Sequence, residues 1–200
     1  MNGVNILKNK IKRLGEIANI RSGYHFRKSL DRIGGKGINV IQAKDISSEN
    51  IVNFSNLSSV DNSDYKKHFF IKKGDILLSS RGKFRAGMVV RNIQNTIAST
   101  SIYIISPNYK DILSEYLIVY LNSIKGQKLI NKNVSGAYIK TILRKSLEDI
   151  EVFIPDISTQ EQVIEIFKNA QSQEELLEEK KVLTKRIAQG AINKLITNQI

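Results

Sequence analysis

The 200-residue chain carries 31 lysines and arginines against 19 aspartates and glutamates, a formal net charge of +12, and 41% of its residues are hydrophobic. That is room and apolar mass for one domain of roughly 150 residues with an appendage. Cysteine is absent, which excludes a disulfide framework and a thiolate metal site and suits a reducing cytoplasm; no apolar run has the length of a membrane span, and no continuous apolar stretch follows the first lysines as in a secretory signal.

The charge is uneven. Residues 1–150 hold 25 Lys and Arg against 11 Asp and Glu, a net +14, whereas residues 151–200 hold 6 against 8, a net −2. A basic globular part beside a near-neutral remainder suggests a polyanion bound by the first and a protein bound by the second.

Arg13 to Ile20 alternates apolar and polar residues and runs through Arg21-Ser22 to Gly23, which predicts a short strand into a turn. A polar, basic, aromatic segment follows, Tyr24 to Ser29, and Gly34-Gly35-Lys36-Gly37 is a turn. Ile38 to Gln42 is a strand. Phe69-Phe70-Ile71 precedes a tight turn at Lys72-Lys73-Gly74-Asp75, which opens the strand Ile76 to Ser80. A second glycine-bounded loop, Arg81 to Gly87, leads into Met88-Val89-Val90. Ile97 to Ile105 alternates as one strand ending at Ser106-Pro107. Asp111 is expected to cap a helix whose inward face is Leu113, Tyr116, Leu117, Tyr120, Leu121 and Ile124. A further helical piece near Gln127–Asn133 is broken at Val134-Ser135-Gly136, and a last strand, Ile150 to Ile154, is closed by Pro155.

From Ser158 onward the chain has no proline and mostly good helix formers. Ser158 and Glu161 form a capping-box pattern. Val163, Ile166, Phe167, Ala170, Leu176, Leu177, Leu183, Ile187, Ala191 and Leu195 recur at three-, four- and seven-residue spacings, an apolar stripe along roughly 60 Å of helix. Lys180-Lys181 and Gly190 interrupt it, and Glu174, Glu175, Glu178 and Glu179 mark an opposite polar face. A stripe of that length calls for a partner helix. The expected fold class is α+β, a mixed α/β domain over residues 1–156 followed by a coiled-coil-forming helix over residues 157–200.

Taken in order, several short stretches resemble one specificity-subunit half of a type I restriction-modification system. They are Leu14-Gly15-Glu16-Ile17 through Ser22-Gly23; Val40-Ile41-Gln42 with Lys44-Asp45-Ile46; Gly74-Asp75-Ile76-Leu77-Leu78-Ser79; Gly82 with Gly87; Ala98-Ser99-Thr100; Glu115-Tyr116-Leu117 with Tyr120-Leu121-Asn122-Ser123; Ser135-Gly136 with Ile139-Lys140; and Ile154-Pro155 with Gln160. The resemblance implies a target recognition domain that reads one half of a split duplex DNA site. It also implies a long helix that packs antiparallel on a second such helix. A subunit of that kind has no catalytic activity; it docks methyltransferase subunits and, through the complex, the motor-nuclease subunit. The family's usual member carries two recognition domains and two helices, and this chain matches one set, so a homodimer through the helix is the expected assembly. The rival reading is a protein-interaction module without its own sequence-specific DNA binding, either an anti-restriction decoy or a swap partner of a full specificity subunit.

Lysine and arginine bind phosphates, arginine forks onto guanine, and tyrosine adds a directional hydrogen bond. Arg81, Lys83, Arg85 and Lys140 are the expected phosphate ligands, and Tyr24, His25 and Arg27 the candidates for base edges. Val163, Phe167, Ala170, Leu176, Leu177, Leu183, Ile187 and Leu195 are the expected dimerisation residues. No cofactor or metal is expected: His25 and His68 have no ligand-spaced partner. The only prolines, Pro107 and Pro155, are not adjacent as the catalytic tetrapeptide of adenine methyltransferases requires. Pro155-Asp156 and Glu179-Lys180-Lys181 mimic a nuclease pattern, yet the helix separates those carboxylates by roughly 34 Å. Gly82 to Gly87 has P-loop glycine spacing without the following Lys-Ser/Thr.

Overall fold

The computed structural model describes residues 10–26, 30, 37–47, 50–61 and 65–197. In chain order, β1 (Lys10–Arg13) passes through one helical turn, α1 (Leu14–Ile17), into β2 (Ala18–Ser22). Then come β3 (Ile38–Ile41), β4 (Ser58–Val60), β5 (Ile76–Ser79), β6 (Ala86–Met88), β7 (Thr96–Ala98) and β8 (Ile102–Pro107). The later elements are α2 (Ser114–Asn122), α3 (Ile124–Lys132), β9 (Val134–Ser135), β10 (Thr141–Ile142), α4 (Arg144–Glu148), β11 (Glu151–Ile154) and α5 (Ile157–Thr197).

An antiparallel four-stranded sheet in the order β2-β8-β5-β6 lies at the centre. A three-stranded sheet, β4-β3-β7, pairs β3 antiparallel to β4 and parallel to β7. Ile41, Leu77, Ala98, Ile102 and Ile104, drawn from both sheets, belong to one buried cluster. Alternate residues of a strand face opposite ways, so Tyr103 and Ile105 of β8 point away from that cluster. They too are buried, so Ile102 to Ile105 is apolar throughout and the alternation expected across Ile97 to Ile105 does not hold in β8. Two-stranded pairs, β1 with β11 and β9 with β10, complete the fold.

Four local expectations are corrected. Leu14–Ile17 is a helical turn: the Glu16 carboxylate accepts from the Arg13 N–H at 2.7 Å, and Leu14 and Ile17, three apart, share a buried face. The run from Ile97 to Ile105 is two strands in different sheets, split by a turn in which Ile102 N–H donates to the Ser99 carbonyl at 2.9 Å and the Ser99 and Ser101 hydroxyls bond at 2.8 Å. Asp111 does not cap α2. Its carboxylate pairs with Lys10 at 2.8 Å, which holds it below the usual carboxylate range, and Ile124 is an exposed residue of α3.

The fourth correction is the start of α5. Asp156 caps it, accepting from the Thr159 N–H at 3.0 Å and the Thr159 hydroxyl at 2.8 Å, while Ser158 lies exposed. Those bonds keep the Asp156 carboxyl below its ordinary value. The fully buried Gln160 then ties the first turn of α5 to the domain. Its oxygen accepts from Leu113 N–H at 2.9 Å, and its amide donates to the carbonyls of Asp111 and Pro155 at 2.8 and 2.9 Å. Gln160 therefore supplies the cap that α2 lacks from its own sequence. The chain divides into two compact units, Met1–Glu161 and Gln162–Ile200.

Candidate nucleic-acid interface

In the register of the central sheet, Ser22 lies opposite Tyr103, Ile102 opposite Ser79, and Leu78 opposite Ala86. The segments that follow β2, join β5 to β6 and precede β8 therefore emerge at one end. Backbone hydrogen bonds tie them together. Tyr24 N–H donates to the Ala98 carbonyl at 2.7 Å, Gly23 N–H to Ile102 at 2.9 Å, and Ser80 N–H to Ser101 at 2.8 Å. The β9–β10 hairpin joins the group through Ile142 N–H to Ser80 at 3.1 Å and Gly82 N–H to Lys140 at 2.9 Å. Two segments read separately from sequence, around Arg81 and around Lys140, are thus direct neighbours.

Arg81, Lys83 and Arg85 are exposed, and Phe84 between them is buried. The aromatic ring anchors the loop from inside while its neighbours face water. The backbone is pinned as well. Gln127 of α3 donates to the Phe84 carbonyl at 2.8 Å, and the Asn122 side chain both accepts from Ala86 N–H at 3.1 Å and donates to its carbonyl at 2.8 Å. Ser79 hydroxyl donates to the Arg81 carbonyl at 2.8 Å. Neither Asn122 nor Gln127 is among the residues expected from sequence to form the site. The available signal was an amide side chain at each side of the α2–α3 break.

Gly136 turns the hairpin with φ of 102°, and a Cβ there would meet the Ile139 carbonyl, so glycine is required. Tyr103 hydroxyl donates to the Ile142 carbonyl at 3.1 Å. Burial raises that phenol above its usual value, against the opposite pull of nearby Arg144 and Arg81. Beyond the anchored base the tip projects: Tyr138 is 102% exposed and Ile139 64%.

The remaining candidates are placed differently. The Tyr24 ring is half-buried, edge-on to Phe26 and Tyr65 at 4.9 Å and to Phe69 at 5.0 Å, in a cluster over Ile38, Val40 and Ile97. His25 is exposed. Arg27 lies outside the described residues, as does most of the Gly34–Gly37 turn.

The charge distribution sharpens the picture. Residues 76–110 hold five cations and no acid, and residues 116–147 hold six and no acid. Among the described residues, none of Arg81, Lys83, Arg85 and Lys140 forms an ion pair, whereas Arg144 and Lys145 pair along α4 with Glu148 and Asp149. Unneutralised cations on loops fixed by backbone bonds form a surface suited to phosphates. Among the described residues no group of three His, Asp or Glu side chains could hold a metal ion, and no helix is long and apolar enough to cross a membrane.

The second unit presents another surface. Val163 and Phe167 of α5 are half-buried and Ala170 is exposed, and all residues from 172 to 197 are exposed. Leu176, Leu177, Leu183, Ile187 and Leu195 are between 57% and 70% accessible. The break expected at Lys180-Lys181 is an ion pair with the same helix, Lys181 to Glu178 at 3.0 Å.

Comparison with known proteins adds four findings. The family model described as type I restriction modification DNA specificity domain matches residues 7–185. The type I restriction enzyme HindI specificity subunit of Haemophilus influenzae is 34% identical over 101 residues, covering 48% of this chain and 22% of that protein. The HsdS subunit from Thermoanaerobacter tengcongensis superposes with a TM-score of 0.62 at 18% identity, over 86% of this chain and 40% of that one. A chain solved in work on the complex assembly and conformational transition of the type I R-M system superposes at 0.65, also at 18% identity, over 88% and 41%. A β-rich α+β domain followed by a long helix is thus a fold shared with those structures, and this chain spans less than half their length.

Proposed function

The chain belongs to the type I restriction modification DNA specificity domain family, and from that premise we propose that it is a non-catalytic, cytoplasmic subunit that confers DNA sequence specificity. In this reading the first unit, taken in the sequence as residues 1–156, recognises one half of a bipartite duplex site. Residues 157–200 dimerise as an antiparallel coiled coil with a second copy and help dock methyltransferase subunits, through which the motor-nuclease subunit joins. The observation that carries the reading is the end of the four-stranded sheet, where Arg81, Lys83, Arg85 and Lys140 form no ion pair among the described residues and stand on anchored loops. Such cations fix the register of the protein on the sugar-phosphate backbone, and neighbouring side chains then read base edges. His25 is available for base contact; Tyr24 contributes chiefly by shaping the aromatic wall beside it.

Replacing Arg81, Lys83 and Arg85 together with alanine tests this. Each lost phosphate contact removes about 0.9 from the slope of log affinity against log salt, so the slope should flatten by roughly 2.7. Affinity at moderate salt should fall by about ten- to a hundredfold. An unchanged slope removes the loop from the interface. Duplex footprints with and without a methyltransferase subunit separate the specificity reading from the interaction-module alternative. Purified protein with methyl donor alone should neither methylate nor cleave DNA.

A further inference from the structure

We propose that the Tyr138–Ile139 tip of the β9–β10 hairpin is the part of the interface that enters the duplex, the Tyr138 ring making stacking contact with bases while Arg81, Lys83 and Lys140 hold the flanking phosphates. The inference rests on the DNA-binding reading above and gives that surface a reading element.

Among the described residues of the first unit, five large hydrophobic side chains are more than half exposed: Ile11, Ile124, Tyr138, Ile139 and Leu143. Three of them fall within six consecutive positions. Holding an apolar side chain in water forgoes the gain of removing its surface from solvent, and here the exposure is not the slack of a loose loop. Three hydrogen bonds set the base of the hairpin: Gly82 N–H to Lys140 and Ile142 N–H to Ser80, which together make the bridge between Arg81 and Thr141, and Tyr103 hydroxyl to Ile142. Gly136 allows the close approach of the Ile139 carbonyl that closes the turn.

The occupant is identified by charge. Lys140 adjoins the tip in sequence, and Arg81 and Gly82 are bonded to the hairpin's return strand. No acid occurs between Glu115 and Glu148. Protein interfaces deplete charge from their buried centre, whereas an apolar tip flanked by cations without an ion-pair partner among the described residues suits a base stack flanked by phosphates. A two-stranded ribbon fits the width of the DNA major groove, and inserted apolar side chains are a recurrent way of gripping base steps.

The test uses the full chain and a randomised duplex library. The sequence it enriches becomes the probe, and a scrambled duplex the control. Tyr138→Ala should weaken binding to the enriched duplex by about tenfold or more, the scale of losing one base–aromatic stack. Binding to the scrambled duplex should stay within about twofold and the salt slope should not change, because no phosphate contact is lost. Tyr138→Phe should retain the specific affinity, since the ring and not the hydroxyl makes the contact. Fluorescence of 2-aminopurine placed in the enriched site should rise on binding the unaltered chain and not the alanine variant. Because the Tyr138 side chain is fully exposed, the thermal midpoint of the domain should be unchanged. Equal affinity of Tyr138→Ala for the enriched duplex overturns the inference while leaving the DNA reading intact. Loss of methyltransferase capture with DNA affinity unchanged would assign the tip to a protein partner and also overturn it. Failure of the unaltered chain to enrich any duplex would overturn the DNA reading, and this inference with it.

Discussion

Replacing Leu183 and Ile187 with glutamate is expected to turn a homodimer into a monomer. Both side chains are more than half exposed on α5, where every residue from 172 to 197 is exposed. Apolar surface extended along some 40 Å of helix exceeds what soluble monomers usually leave bare, and closed two-fold pairing is the commonest remedy. A glutamate in the resulting seam would have to lose its hydration or leave the seam. We expect the dissociation constant to rise at least about a hundredfold, close to 3 kcal/mol. Glutamate is a good helix former, so circular dichroism should show the helix retained while sedimentation shows half the mass. Removing residues 160–200 should also abolish the dimer, with added destabilisation because Gln160 leaves too. Two identical readers related by a two-fold axis require identical half-sites in inverted orientation, so the enriched DNA site should be an interrupted palindrome. An unaltered chain that sediments as a monomer at micromolar concentration would defeat the dimer model.

The largest single-residue loss of stability should come from Asp75→Ala. The carboxylate is 1% exposed and has three partners: Arg21 at 3.1 Å, the Ser106 hydroxyl at 2.6 Å and the Lys72 N–H at 3.0 Å. It joins the turn before β5 to the strands β2 and β8. Removing it strands the Arg21 guanidinium, whose Nε has no partner among the described residues, between the Phe70 carbonyl and the Ser106 hydroxyl. Breaking one side of such a buried pair costs about 3–5 kcal/mol, or roughly 10 °C in the midpoint of the first unit. The double replacement Arg21→Met with Asp75→Leu should recover much of that, since an apolar pair of similar volume leaves no orphaned charge. A loss below about 1 kcal/mol for Asp75→Ala would show that the pair does not hold the sheet together.

What could be read from the sequence was whatever local spacing decides. The strand Ile76–Ser79 sits between Gly74, which adopts φ of 89°, and the arginine-glycine loop, and both ends carry their own turn signals. The long helix follows from forty residues of helix formers. What escaped was decided by distant partners. Lys10–Arg13 has no alternating burial and is a strand because β11 pairs with it. Leu14 and Ile17 stand at helical spacing, but four residues are too few to show a period, and the Glu16 cap settles it. α4 has too few residues for a periodic signal. Asp111 looked like a cap because the true one, Gln160, lies in a different helix. In the candidate site, the cations of each loop were legible singly. Their convergence was not, because it depends on bonds between Gly82 and Lys140, far apart in the chain.

The anchoring of the Arg81–Arg85 loop and the hairpin has an evolutionary consequence. Every bond that fixes their paths ends on a main-chain atom: Gln127 on Phe84, Asn122 on Ala86, Ser79 on Arg81, Tyr103 on Ile142, Gly82 on Lys140. The side chains that face outward at positions 81, 83, 85, 137 and 138 are not part of that frame. They can therefore mutate without the cost in folding that usually accompanies change at a binding site. On the DNA-specificity reading, the outward side chains of the tip at positions 137 and 138 can be exchanged to alter what is read, while Asn122, Gln127 and Tyr103 hold the main chain that presents them.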